Sequence, residues 1–247
     1  MSTASKTNQA RPNVQVIPAG SRGRTRLDWL DSRHTFSFGS YVDPARTGFG
    51  PLLVLNDDFV APGGGFGTHG HRDMEILTWV VDGALVHRDD LGSEGTVAAG
   101  QVQRMTAGTG IRHSEWNASD SDGLRFLQIW IRPEKAGLPP SYEEREVAWT
   151  DGEPLRLVAS RDGRDQSLTI HRDVAIYVAR LKAGERATHE IAEGRGAWIQ
   201  VVTGNLEIDG TTLVEGDGAA IADAATLELH ATGEAEVLLL DVPLAAA

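Results

Sequence analysis

The chain of 247 residues contains no cysteine. That excludes disulfides, thiolate zinc sites, iron–sulfur clusters and cysteine nucleophiles. Basic residues are scarce: 23 Lys and Arg stand against 35 Asp and Glu, a formal net charge of −12. Non-specific binding to nucleic acid or to an anionic membrane needs a basic face, so neither is expected. No apolar run approaches the roughly 18–20 residues of a membrane-spanning helix. The opening MSTASKTNQARPNVQ lacks the apolar stretch of a secretory signal, and a cytoplasmic location is expected. Residues 1–12 read as a flexible polar tail. No long stretch holds a helical period either.

What the sequence has in quantity is glycine, 28 residues at short intervals. Between them lie strand-like segments such as LLVLNDDFV (52–60), EILTWVV (75–81), LRFLQIWI (124–131), AWIQVV (197–202) and AEVLLLDV (235–242). Turn signals include Asp82-Gly83, Asp122-Gly123, Asp162-Gly163 and Asp209-Gly210. Short strands at this spacing predict an all-β sandwich or barrel. The two halves resemble each other: WVVDGALVHRD (79–89) is echoed by IQVVTGNLEID (199–209), and RFLQIWIRP (125–133) by EVLLLDVP (236–243). The architecture expected is therefore two packed β-barrels of one type. One spans 13–135 and the other 151–247, joined by a linker over 136–150 that holds Pro139 and Pro140. GLPPSYEERE (137–146) is expected to be a short helix or an extended linker.

The chemistry concentrates in FGTHGHRDMEILTWVVDG (66–83) and RHSEW (112–116). Successive strand side chains alternate faces, so His69 and His71 share one face, and His113 and Glu115 share another. Two such strands side by side in a barrel bring three imidazoles and one carboxylate together. This nitrogen–oxygen set suits Fe(II), Mn(II), Co(II), Ni(II), Cu(II) or Zn(II). Four ligands on a six-coordinate ion leave two positions open for chemistry. Glu75 has the parity of His69 and His71 and competes as a ligand or outer acceptor. His34, His87, His171, His189 and His230 have no such pairing and read as structural or solvated.

Gly63, His69, His71, Glu75 and Gly83 match the first cupin motif. Gly100, Gly108, His113 and Asn117 match the second, with Thr106 replacing its proline and two extra residues between Gly108 and His113. With those departures, and with HTFSFGSYVDP (34–44), MTAGTGIRHSE (105–115) and SYEERE (141–146), the chain resembles the pirin family, bacterial bicupins of the quercetin 2,3-dioxygenase type. The likeness covers the whole chain after the tail. It implies two tandem cupin barrels (double-stranded β-helix, jelly-roll), with metal in the N-terminal barrel only. It implies His69, His71, His113 and Glu115 as ligands, with Glu75 excluded. The repeat agrees with a degenerate C-terminal barrel: His189 falls near His69 but Ile191 replaces the second histidine, and His230 is followed by Ala231 and Thr232.

The resemblance further implies ring cleavage of flavonols such as quercetin by dioxygen, with release of carbon monoxide. Fe(II) is the expected metal, with the other five ions as alternatives. Glu115 would take the substrate's hydroxyl proton. Phe66, Met74, Trp116 and Phe126 are expected to wall the substrate pocket. Two rival readings follow from the same resemblance. One is a non-enzymatic, redox-sensitive regulator. The other is a dioxygenase for a different small enol or catechol-like substrate. The expected partners are one small aromatic molecule and dioxygen, on a monomer.

Overall fold

A computed structural model describes residues 13–150, 152–222 and 226–244, so the tail expected over 1–12 lies outside the described residues. Among the described residues there are strands and two one-turn 3-10 helices but no α-helix, and hence none long and apolar enough to cross a membrane. The first twelve strands are β1 (Asn13–Ile17), β2 (Gly23–Arg26), β3 (Leu30–His34), β4 (Leu52–Val60), β5 (Gly65–His71), β6 (Glu75–Asp82), β7 (Ala84–Asp89), β8 (Glu94–Ala98), β9 (Gln101–Thr106), β10 (Ile111–Asn117), β11 (Leu124–Ile131) and β12 (Ser141–Glu146). The other ten are β13 (Leu155–Ser160), β14 (Leu168–Thr169), β15 (Ala175–Leu181), β16 (Arg186–Glu190), β17 (Arg195–Thr203), β18 (Asn205–Ile208), β19 (Thr211–Val214), β20 (Gly218–Ala222), β21 (Thr226–Ala231) and β22 (Ala235–Pro243).

They form two barrels of one plan. In the first, a seven-stranded sheet, β12-β9-β6-β11-β4-β3-β2, covers a four-stranded sheet, β5-β10-β7-β8. In the second, β1-β20-β17-β22-β15-β13-β14 covers β16-β21-β18-β19. The repeat is visible at a single turn. Gly83 and Gly204 follow β6 and β17, the matching third strands of the two large sheets, at φ near +78°, a left-handed conformation that side chains other than glycine adopt at a cost. At Gly83 a Cβ would also stand 2.7 Å from the Gly123 carbonyl.

The large sheets meet through one shared core. Leu77 and Trp79 of β6 and Leu127 and Ile129 of β11 pack with Ile176, Trp198, Leu238 and Leu240 of the second barrel. Side chains on their other faces fill the barrel interiors, and there the two halves differ. The second barrel is packed with aliphatics, including Ile191, Leu206, Leu227 and Leu229. The first holds two smaller apolar clusters, one around Leu85, Val97 and Phe126 and one around Ile76, Met105 and Ile111, with buried polar residues between them.

Two segments lie elsewhere than the sequence suggests. β1, expected to open the N-terminal barrel, pairs Asn13–Ile17 with Ala222–Gly218 of the second. The linker expected over 136–150 contains β12, which pairs Ser141–Glu146 with Thr106–Gln101 of the first. SYEERE is extended, one of the two conformations expected, but it is a paired strand rather than a linker because β9 offers it a free sheet edge. Periodicity reports that a segment is extended, not which edge receives it.

Candidate metal centre

β5 and β10 are antiparallel neighbours, with His69 directly opposite His113 and His71 opposite Ile111. This register converts two i, i+2 pairs into one cluster. Ring centroids lie 4.7 Å apart for His69–His71, 4.5 Å for His69–His113 and 5.0 Å for His71–His113. One ring nitrogen from each of the three lies within 4.8 Å of the others. His69 Nδ1 donates to the Gly67 carbonyl at 2.8 Å, which fixes the tautomer and leaves the Nε2 lone pair free. His113 Nε2 is buried without a hydrogen-bond partner among the described residues. Burial, then the neighbouring His69, holds His71 down to about 4. Burial, then His69 and His71, holds His113 down to about 2. Both are therefore neutral imidazoles at neutral pH, the form that binds metal. Converging lone pairs with an orphaned buried nitrogen fit a divalent transition ion.

Glu115 is on the same face of β10 as His113, and both are nearly fully buried. Its Oε1 accepts from Gln103 Nε2 at 2.7 Å and from Thr78 Oγ1 at 3.4 Å, and its Oε2 accepts from Gln128 Nε2 at 3.0 Å. Burial lifts its pKa to about 7 against the pull of these three donors. The tight histidine group does not include Glu115. Its carboxylate instead lies within 4.8 Å of His113 and His87. His87 is fully buried, not solvated. Its Nδ1 is 3.5 Å from His113 Nδ1, its Nε2 is 3.3 Å from Asp89 Oδ2, and its ring stacks on Tyr142 at 4.2 Å. Tyr142 arrives on β12, and its hydroxyl points at Gln103 Oε1, 3.0 Å away, and Glu144 Oε2, 2.8 Å away.

Glu75 stands apart from both groups. Its Oε2 accepts from Thr106 Oγ1 at 2.9 Å, and its Oε1 lies 3.2 Å from His171 Nδ1 of the second half. It is fully buried and joins the halves. The positions matching the ligands in the second barrel carry other groups. His189, in the place of His69, has its Nε2 2.7 Å from Asp241, and Ile191 replaces His71. By strand register the core residues Leu227 and Leu229 stand where His113 and Glu115 do; His230, expected near His113, instead takes the place of Trp116.

The histidines open on a cavity of about 490 Å³. Its apolar wall includes Trp29, Phe38, Phe66 and Trp130, and its polar wall includes His34, Asn56, Asp58 and Gln128. Of the four aromatic or sulfur side chains expected to wall it, only Phe66 does so. A bulge between His69 and Phe66 sets three residues of β5 against two of β10, so Phe66 faces Glu115. Trp116 alternates outward from Glu115 and is 41% exposed. Phe126 is buried behind Phe66 in the apolar cluster. Met74 packs on Ile76, Met105 and Ile111. Sequence reasoning missed Trp29, Phe38, Trp130, Asn56 and Asp58, and set His34 aside as structural or solvated. A signal existed in LLVLNDDFV, an apolar strand interrupted by three polar residues, all of them buried.

Comparison with known proteins gives one answer along the chain. The Pirin family model matches residues 16–131, and the Quercetinase C-terminal cupin domain matches 157–242. The quercetin 2,3-dioxygenase of Escherichia coli K12 is 48% identical over 230 residues, covering 93% of this chain and 99% of that protein. A pirin-like protein of Caulobacter vibrioides is 40% identical over 226 residues, covering 91% of this chain and 97% of its own. The crystal structure of the Escherichia coli bacterial pirin YhhW in complex with nickel(II) superposes with a TM-score of 0.90 at 46% identity, over 94% of this chain and all of that one.

Proposed function

The chain belongs to the pirin family, and from that premise we propose that it is a metal-dependent dioxygenase that opens flavonols such as quercetin with O2. The observation that carries the reading is the convergence of three imidazoles on an aromatic-walled cavity of about 490 Å³, a size that suits a flat three-ring ligand. Proposed ligands are His69, His71, His113 and Glu115, with Fe(II) as the native ion. A bound divalent ion would supply Lewis acidity toward a coordinated hydroxyl.

The chain's own residues do the rest. Glu115 takes the hydroxyl proton of the substrate on a carboxylate oxygen. Without an ion, burial holds its pKa at about 7, against the pull of its three hydrogen-bond donors. Gln103 and Gln128 hold one oxygen each and fix the direction in which the carboxylate can accept. Trp29, Phe38, Phe66 and Trp130 orient a planar substrate and keep bulk water from it. His87, backed by Asp89 and stacked on Tyr142, sets the orientation of the His113 ring from behind. The second barrel keeps the shape of the first through the shared core.

The test is to strip the protein of metal, reload it with Fe(II), Mn(II), Co(II), Ni(II), Cu(II) or Zn(II) in turn, and follow aerobic loss of quercetin absorbance. Turnover with one or two ions, absent from His71→Ala, is expected. Full occupancy by each ion with no turnover would refute the reading.

A further inference from the structure

The polar wall of the cavity is organised. Gln103, Thr78, Gln128, Asn56 and His34 are successive register partners across β9, β6, β11, β4 and β3, so they form one rung of the large sheet. At one end of the rung Gln103, Thr78 and Gln128 are committed to Glu115. At the other end Asn56 Oδ1 lies 2.9 Å from His34 Nδ1, and His34 Nε2 lies 2.8 Å from Thr25 Oγ1. With Oδ1 used on the imidazole, the Asn56 amide keeps its N–H groups as donors. Two residues along β4, on the same face, stands Asp58. It is 3% exposed, it lines the cavity, and its Oδ1 has no hydrogen-bond partner among the described residues. A buried carboxylate oxygen without a partner is costly and rare unless something completes it. Asn56 and Asp58 stand on the large sheet and His69, His71 and His113 on the facing small sheet, and packed sheets lie about 10 Å apart. That span is comparable to the distance from a flavonol's chelating oxygens to the hydroxyls on its pendant ring.

We infer that Asn56 and Asp58, braced by His34, form a second recognition pole that reads hydroxyl groups on the substrate's far ring. The substrate class is then a flat aromatic molecule with a chelating oxygen pair at one end and at least one hydroxyl at the other. A hydroxyl both donates and accepts, and the pole offers a donor in Asn56 and an acceptor in Asp58. The inference rests on the flavonol reading above and adds which flavonols the cavity prefers.

The test is anaerobic binding to the metal-loaded protein, read by titration calorimetry, so that no turnover intervenes. Quercetin is compared with the flavonol that lacks hydroxyls on its pendant ring. About tenfold tighter binding of quercetin is expected, the value of one hydrogen bond to a charged or strongly polar group. Asp58→Leu and Asn56→Leu, at unchanged metal content, should bring the two affinities within about twofold of each other. Equal affinities in the unaltered protein overturn the inference and leave the dioxygenase reading standing, and they need no variant to be read. A preference that survives in both variants also overturns it. Binding of neither compound overturns the dioxygenase reading and this inference with it.

Discussion

Replacing Asp58 with asparagine in the metal-stripped protein should remove a pH-dependent cost. Burial raises Asp58 from an ordinary 3.8 to about 7. The neighbouring carboxylates of Asp57 and Glu115 add to the rise, while Ser32 and the Arg22 guanidinium oppose it. The folded state then binds more protons at this site than the unfolded state between about pH 4 and 7. Stability from the site is complete below the unfolded value and is lost as pH climbs through the folded one. Working that difference at about 1.4 kcal/mol per unit, the cost grows by about 2–3 kcal/mol between pH 5 and pH 8. Asp58→Asn is isosteric and uncharged, so it should gain stability relative to the parent by that amount over the interval. For a chain of this length the gain corresponds to roughly 5–10 °C in melting temperature. Thermal unfolding of both proteins at pH 5 and pH 8, in chelator, measures the double difference, and the titration of the buried histidines cancels from it. A parent–variant gap that does not change with pH would refute the claim that burial holds the Asp58 carboxyl protonated at neutral pH.

Three further outcomes follow from the geometry. His71→Ala should lower metal affinity by at least 10–100-fold, the range seen for lesser perturbations of such sites, and elemental analysis after dialysis against a metal buffer reads it directly. Gln128→Leu leaves one Glu115 oxygen without its donor and should reduce kcat/KM for quercetin by about 10–100-fold at full metal occupancy, as expected for a lost hydrogen bond to a charged group. Trp116→Ala should leave kcat/KM within about twofold of the parent, because its ring lies on the outer face of β10; a larger loss would return Trp116 to the pocket.

Alternation along strands was enough to group His69 with His71 and His113 with Glu115, because each pair lies within one strand and needs no knowledge of tertiary structure. Applied consistently, the same rule excludes Trp116, which is adjacent to Glu115 and so must face outward. It would also have excluded Phe66, three residues from His69. Only the bulge returns Phe66 to the cavity, and a bulge leaves little trace in a glycine-rich stretch such as FGTHG. The polar wall was invisible for a different reason. His34, Asn56 and Asp58 belong to β3 and β4, and nothing local says that these strands neighbour β11. Strand order is a long-range property. The buried trio Asn56, Asp57 and Asp58 was the one local hint, since an apolar strand does not carry three polar residues without a use for them. The halves themselves were legible through repetition, but β1 and β12 were not, as edge strands carry no mark of the sheet they join.

The placement of β1 in the second sheet ties the two halves into one unit. Asn13 pairs with Ala222, and the strand that follows the first barrel turns back to cover β9 of that barrel. The second half thus holds the chain's N-terminal strand, and a first half released by a cut between 146 and 155 would take β1 with it and leave an open edge on the second sheet. During synthesis the first barrel emerges with Leu77, Trp79, Leu127 and Ile129 uncovered, and it must wait for residues 155–243 before that face is closed. Ion binding in one barrel therefore protects both. At a thousand times the dissociation constant it adds about 4 kcal/mol to one shared unfolding transition. A scan of the loaded protein should show a single melting step, with the second barrel melting at the temperature set by the proposed metal site of the first.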